Sequence, residues 1–334
     1  MTIPTKINYP LLDQGLSLRP AQWSDAEAVA KLILDVCTAD GDGTVAVTPD
    51  ELRREWQTEG FLLEMDAWVV ETSDGQIVGY EEFNNQYVHA ALQGDGYVHP
   101  DHMGRGIGTT MLHALDERAY EEMKLAEPDL RVFIRNGMSI GDTVGREMHE
   151  AKGYKPIRFS WRMEINLTEA PSAPVWPEGV ELRPFIPGEQ DRLLFDATEE
   201  AFRDHWGHTP GNFNDWQNRK IKREDFDPTL FHIAWDGDQI AGFTQNRFRM
   251  GIGWVGTLGV RRPWRKHGLG LALLQHSFVE FHKRGMKTIG LGVDASNPTG
   301  ATRLYQKAGM DIAAEYVIYE KEYRSGREPE DDIS

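Results

Sequence analysis

The chain has 334 residues, 40% hydrophobic and 27% charged, with one cysteine and a formal net charge of −17. That length suits about two domains, each large enough to bury its own core. The acidic balance argues against nucleic-acid binding. A lone cysteine excludes an intrachain disulfide framework or a cysteine-rich metal site, and no apolar run approaches the ~18 residues of a membrane span. The first residues do not combine a basic start, an apolar run and a cleavage site, so the expected location is cytoplasmic.

In chain order, residues 16–20 (LSLRP) read as a short strand, followed by a helical pattern in which Cys37 is a small buried residue of the run AVAKLILDVC. Residues 67–83 (AWVVETSDGQIVGYEEF) form two apolar runs around Ser-Asp-Gly-Gln, a hairpin signal. GDGYV (94–98) reads as a strand, and MGRGIG (103–108) as a glycine loop that opens a helix. A proline-containing stretch, NLTEAPSAPVWPEG (166–179), then reads as a linker, because proline neither continues a helix nor sits in a central strand.

Beyond it the order repeats. VELRPFIPGEQDRLLFDA (180–197) returns the Leu-Arg-Pro strand and its helix, and LFHIAWDGDQIAGFTQNRF (230–248) returns the hairpin. GWVGTLGV (253–260) precedes the loop RKHGLG (265–270), and Leu269, Leu273, Leu274, Phe278 and Phe281 then recur at helical spacing. TIGLGVDA (288–295) is a strand, residues 301–307 a helix, and a last strand follows. A repeat near 163 residues is a duplicated domain rather than a solenoid. The fold class expected is therefore α+β: two tandem domains, each with a mixed, mostly antiparallel sheet flanked by helices. Their expected bounds are 1–168 and 180–325, with a linker at 169–179 and a disordered acidic tail at 326–334.

The loop Arg265 to Gly270 carries the chemistry. Its glycines permit a sharp turn and close approach to a ligand, and the helix start adds free N–H groups and a positive dipole end. Arg261, Arg262, Arg265, Lys266 and His267 crowd it in an otherwise acidic chain, which suits a polyphosphate. A glycine turn that only packs a helix on a sheet would read the same. The loop lacks the Gly-Lys-Ser/Thr of a P-loop and the glycine spacing of a dinucleotide fingerprint.

TLGVRRPWRKHGLGLALL resembles motif A of the GCN5-related N-acetyltransferases, with Arg265, Gly268 and Gly270 in the pattern Arg/Gln-x-x-Gly-x-Gly/Ala. LGVDASNPTGATRLYQKAGM resembles that family's motif B through Asn297, Ala301, Leu304, Tyr305 and Gly309. The resemblance covers essentially both halves, and the tandem arrangement is similar to two-domain members of the mycothiol synthase type. It implies acetyl-CoA as co-substrate and a primary amine as acceptor. It also implies a pyrophosphate cradle of the Arg265, Lys266, His267, Gly268, Leu269 and Gly270 amides, with main-chain contacts at Leu258, Gly259 and Val260. By the same resemblance Tyr305 protonates the leaving thiolate and Asn297 assists.

In the first copy the equivalent cofactor set is Val98, Met103, Gly104, Arg105, Gly106, Ile107 and Gly108, with Met103 where the pattern expects Arg or Gln. Counting back from Gly153, His149 falls where Tyr305 falls and Gly141 where Asn297 falls, so catalysis is expected in the second copy. A base must accept the amine's proton, and Asp294 is one candidate. Glu200, His205, Trp206 and His208, with Phe213 and Trp216, are expected to shape the acceptor site. No third ligand accompanies His205 and His208, so no metal is expected. The acidic bulk favours a cationic small-molecule acceptor. The oligomeric state expected is monomer or homodimer. Two other readings stay open: an acyl-CoA-binding protein without catalysis, and an acyltransferase that uses a longer acyl group.

Overall fold

A computed structural model describes residues 12–206, 208, 210–296 and 300–329. The elements run β1 (Leu16–Pro20), α1 (Ala26–Ala39), α2 (Pro49–Glu55), α3 (Leu63–Asp66), β2 (Ala67–Thr72), β3 (Ile77–Tyr87), β4 (Ala91–Val98), α4 (Ile107–Met123), β5 (Val132–Ser139), α5 (Thr143–Ala151) and β6 (Lys155–Asn166). The second half continues with β7 (Val180–Pro184), α6 (Asp191–Phe202), α7 (Phe213–Lys220), β8 (Phe231–Asp236), β9 (Gln239–Arg249), β10 (Ile252–Val260), α8 (Leu269–Lys283), β11 (Thr288–Asp294), α9 (Ala301–Lys307) and β12 (Asp311–Arg324). The expected linker is irregular from Leu167 to Gly179. No helix among the described residues is long and apolar enough to cross a membrane.

The chain folds as two compact units, and they are not the contiguous halves drawn from the repeat. One contains residues 1–158 and 316–334, the other residues 159–315. The cause is an exchange of last strands. Ser160 to Asn166 of β6, written in the first repeat, pair antiparallel with β11 of the second unit, from Asp294↔Ser160 to Thr288↔Asn166. Tyr316 to Arg324 of β12, written in the second, pair antiparallel with β5 of the first, from Tyr316↔Ser139 to Arg324↔Val132. Sequence similarity follows the repeat, whereas packing follows the sheet each strand joins.

In the first unit the strand order is β1-β2-β3-β4-β5-β12, antiparallel except for β4 beside β5. Its core packs Leu112 and Leu115 of α4 against Phe83, Leu92 and Ile134, and the exchanged strand supplies Val317 and Tyr319. In the second unit the order is β6-β11-β10-β9-β8-β7, antiparallel except for β10 beside β11. Leu269, Leu273, Leu274, Phe278 and Phe281 of α8 are buried, the face that their spacing predicts. The exchanged Met163 packs with Leu274, Phe278 and Phe281. Residues 326–329 depart from the expected disordered tail: Arg327 N–H donates to Asp129 O (2.8 Å) and its carbonyl accepts from Arg131 N–H (2.7 Å).

Ending the chain at Glu315 removes Val317 and Tyr319 from the first core and uncovers the β5 edge. Hydrogen exchange should then lose protection over Val132–Ser139 and keep it over Thr288–Asp294. Equal protection of both strands would show that the exchanged strand does not complete the first unit.

Candidate active site

Strands β10 and β11 run parallel, but their pairing covers only Gly253↔Ile289 and Trp254↔Gly290. Immediately beyond, β10 carries a β-bulge: Val255 pairs with Asn246 and Thr257 with Gln245, which leaves Gly256 unpaired. A bulge bends its strand and turns neighbouring groups to new directions. Past the bulge β10 runs on to Val260 and β11 to Asp294, with a cleft of about 1050 Å³ at their ends. The lining includes Thr257, Leu258, Gly259 and Val260 from β10, Gly292 and Asp294 from β11, and Leu304 and Tyr305 from α9.

The loop at the start of α8 closes one end. Gly268 caps the helix with φ +87°, and the first intrahelical bond runs from Ala272 N–H to Gly268 O (3.1 Å), so the amides just before it lack helical partners. Lys266 is also left-handed, φ +68°, a conformation that costs a non-glycine residue about 1–2 kcal/mol. Arg265 braces the loop there: its Nε donates to Val260 O (3.0 Å) and its Nη2 to Ala201 O (2.8 Å). Its guanidinium thus spends two donors on backbone carbonyls, although the residue lines the cleft. Lys266, Gly268, Gly270, Arg303 and Lys307 also line it, while His267 is exposed and Leu269 lies in the core. Basic side chains and unpaired amides at a helix start fit a pyrophosphate, and a Cβ on Gly270 would come within 3.1 Å of Leu304.

Tyr305 is only 8% exposed, its hydroxyl bonds no described residue, and burial pushes its pKa up to about 12. Asp294 lines the cleft and accepts from Ser296 N–H (2.8 Å). His205 lines it too, with its pKa lowered by burial first and by the Arg265 charge second. His208 also lines it, 3.6 Å from the Glu199 carboxylate. Asn297 lies outside the described residues.

Other expected acceptor-site residues stand elsewhere. Glu200 is held by Arg261 (2.7 Å), and it is its neighbour Glu199 that lines the cleft. Trp206 is 39% exposed and is not among the lining residues, while Phe213 and Trp216 pack with Phe195 in the core of the second unit. The aromatic lining comes instead from Phe202 and Trp264, with Tyr305. Consecutive residues of α6 point about 100° apart around the helix, so the two acidic neighbours meet different surroundings, a choice of helix face that no local pattern marked. Among the described residues no group of three or more His, Cys, Asp or Glu could hold a metal ion.

In the first unit the loop has the same backbone: Gly104 takes φ +75°, Gly106 takes φ +77°, and Thr110 N–H bonds Gly106 O (3.0 Å). The wedge beside it differs. Parallel pairing runs over four residues, Ala91–Gly94 against Phe133–Asn136, with no bulge in that stretch of β4. Asn136 and His149 are buried in it; Asn136 Nδ2 lies 3.0 Å from His149 Nε2, and His149 Nδ1 lies 2.8 Å from Gly145 O. An Nδ1–H tautomer satisfies both contacts. Met148 closes on the helix start, 3.1 Å from where a Cβ on Gly108 would lie.

Comparison with known proteins agrees with this geometry. The model described as "Acetyltransferase (GNAT) family" matches residues 192–310, and "Acetyltransferase (GNAT) domain" matches residues 64–154. A crystal structure of a GCN5-related N-acetyltransferase from Sphaerobacter thermophilus superposes with a TM-score of 0.78 at 37% identity, covering 95% of this chain and 98% of that one. The chain belongs to the GNAT acetyltransferase family. It is an acyl-CoA-dependent N-acetyltransferase with acetyl-CoA as co-substrate. Among curated relatives, a mycothiol acetyltransferase of Streptomyces scabiei is 32% identical over 256 residues, covering 75% of this chain and 76% of that one. Another, from Catenulispora acidiphila, is 26% identical over 323 residues, covering 92% and 98%. A tandem GNAT protein from the clavulanic acid biosynthesis pathway shares the fold, with a TM-score of 0.67 at 16% identity, covering 93% of this chain and all of that one.

Burial, the largest effect, lowers the His149 pKa below the ordinary 6.5. A histidine that resists protonation in the fold favours the native state above that value, and this advantage is lost as pH falls below it. Imidazole NMR should therefore find His149 titrating at lower pH than an exposed histidine. A normal titration near 6.5 would show that the wedge is open to water.

Proposed function

We propose that the second unit acetylates a primary amine by direct attack on acetyl-CoA bound in the β10–β11 cleft. The observation that carries this reading is the cleft itself, which joins the α8 cradle to Tyr305 on one continuous lining. Amides at the start of α8, with Lys266, Arg303 and Lys307, would hold the pyrophosphate. Main-chain groups of Leu258 and Val260 would align the pantetheine arm, and an N–H aimed at the thioester oxygen would stabilise the charge that builds there. The bound co-substrate supplies an activated acetyl group.

Asp294 or His205, acting directly or through water, would take the proton the amine loses as the N–C bond forms and the C–S bond breaks. Tyr305, whose pKa is pushed up to about 12, keeps its proton throughout the neutral range. Its hydroxyl would give its proton to the departing sulfur, leaving the free thiol, and the proton that the base took from the amine would return through solvent to the tyrosinate. Relatives named as mycothiol acetyltransferases act on a small molecule, which favours a small-molecule acceptor here. The first unit would be catalytically silent, because both His149 nitrogens are already committed.

Tyr305→Phe should lower kcat by about 10²–10⁴-fold, the ordinary cost of losing a general acid, with acetyl-CoA affinity retained. His149→Ala should leave kcat within about twofold once any loss of folded protein is corrected, since it removes no acid or base from the reaction. Gly268→Asp should abolish acetyl-CoA binding in calorimetry, and Gly106→Asp should not. Equal, large kcat losses from Tyr305→Phe and His149→Ala in variants that melt like the wild type would place chemistry in both units.

A further inference from the structure

A basic run lies beside Thr257, one of the residues that line the cleft. Residues 219–223 read Arg-Lys-Ile-Lys-Arg in a protein of net charge −17. Lys220, the last residue of α7, reaches the sheet face, where its Nζ lies 3.4 Å from Thr257 Oγ1. Thr257 follows the Gly256 bulge and lines the cleft, next to the Leu258 main chain. The Lys220 side chain is half-buried, and its ammonium meets no carboxylate among the described residues. Burial and then the charges of Arg247, Arg223 and Arg219 act on it together and push its pKa down to about 8. Arg223 is itself bidentate to Asp225 (2.8 and 2.6 Å).

Burying an ammonium among like charges is costly without an anion beside it. A structural lysine in this position would be expected to reach a carboxylate or solvent. Lys220 instead reaches the hydroxyl of Thr257, a residue of the cleft wall. We propose that the acceptor is an amine that also bears an acidic group, carboxylate or phosphate, which Lys220 and Thr257 bind while the amine faces the thioester. This rests on the acetyl-transfer reading above and names the acceptor's class within it. It also reverses the expectation drawn from bulk charge. A solvent-screened surface acts weakly over distance, whereas a desolvated cation within contact range acts strongly. Glu199 and Asp294 in the same cleft supply the complementary charge for the amine end.

The test uses the full chain, acetyl-CoA, and a panel of amino acids and phosphoamines, each paired with its neutral carboxamide or alcohol, followed by release of free thiol. Wild type should favour at least one acid-bearing amine over its neutral partner by about tenfold or more in kcat/KM, the scale of one charge-assisted hydrogen bond. Lys220→Met should bring that ratio to near one, chiefly through KM for the acid-bearing acceptor. The KM for acetyl-CoA, the neutral acceptor's kcat/KM and the melting temperature should hold, and Lys220→Arg should retain the preference. Turnover with no preference for the acid, or a preference that survives Lys220→Met, overturns the inference and leaves acetyl transfer standing. If acetyl-CoA binds and no amine of either kind is acetylated, the acetyl-transfer reading falls, and the acceptor class with it.

Discussion

Two parallel strands that part after two residue pairs set the terms for the second unit. Where β10 and β11 stay hydrogen-bonded, at Gly253–Trp254 and Ile289–Gly290, there is only sheet. The Gly256 bulge ends that ladder, and each strand then carries backbone groups with no partner on the other. Buried amides and carbonyls seldom stay unpaired, so an opening of this kind is held by a ligand or by water. The rest of the site is placed with respect to it: α8 brings its N-terminus to one end, α9 brings Tyr305 to the flank, and Lys220 meets Thr257 just past the bulge.

The first unit shows the same components with a later parting. Its glycine loop has matching left-handed positions and an equivalent helix start, yet the parallel ladder is twice as long and Asn136 stands where the second unit has Gly292. A buried amide needs a partner, and His149 provides one. Once that bond forms, the histidine is fixed as a neutral, hydrogen-bonded core residue. The polar pair packs into the sheet beside a glycine loop that keeps the same left-handed positions.

Strand exchange adds a constraint that the repeat conceals. Each unit is completed by a strand written in the other's half of the sequence, so neither half has a full sheet when read alone. Tyr319 is fully buried in the first unit and donates to Glu150 (2.6 Å), while Met163 is fully buried in the second. Large core side chains of this kind are each worth a few kcal/mol. The two units are therefore coupled through the chain's covalent order.

By itself the sequence determined the local devices. Glycine spacing, helical periodicity in α8, the Asp-Gly hairpins and the motif around Tyr305 each depend on residues within about twenty positions, where backbone conformation and side-chain period leave few alternatives. The duplication and the family resemblance were legible for the same reason. Tertiary structure alone decided which strand completes which sheet, which of Glu199 and Glu200 meets the cleft, that Phe213 and Trp216 belong to a core, and that Lys220 stands beside Thr257. Those outcomes depend on contacts between residues far apart in the chain. A strand's alternation states which face is apolar but not which partner it will meet, and a helix period leaves open which element will cover its polar side.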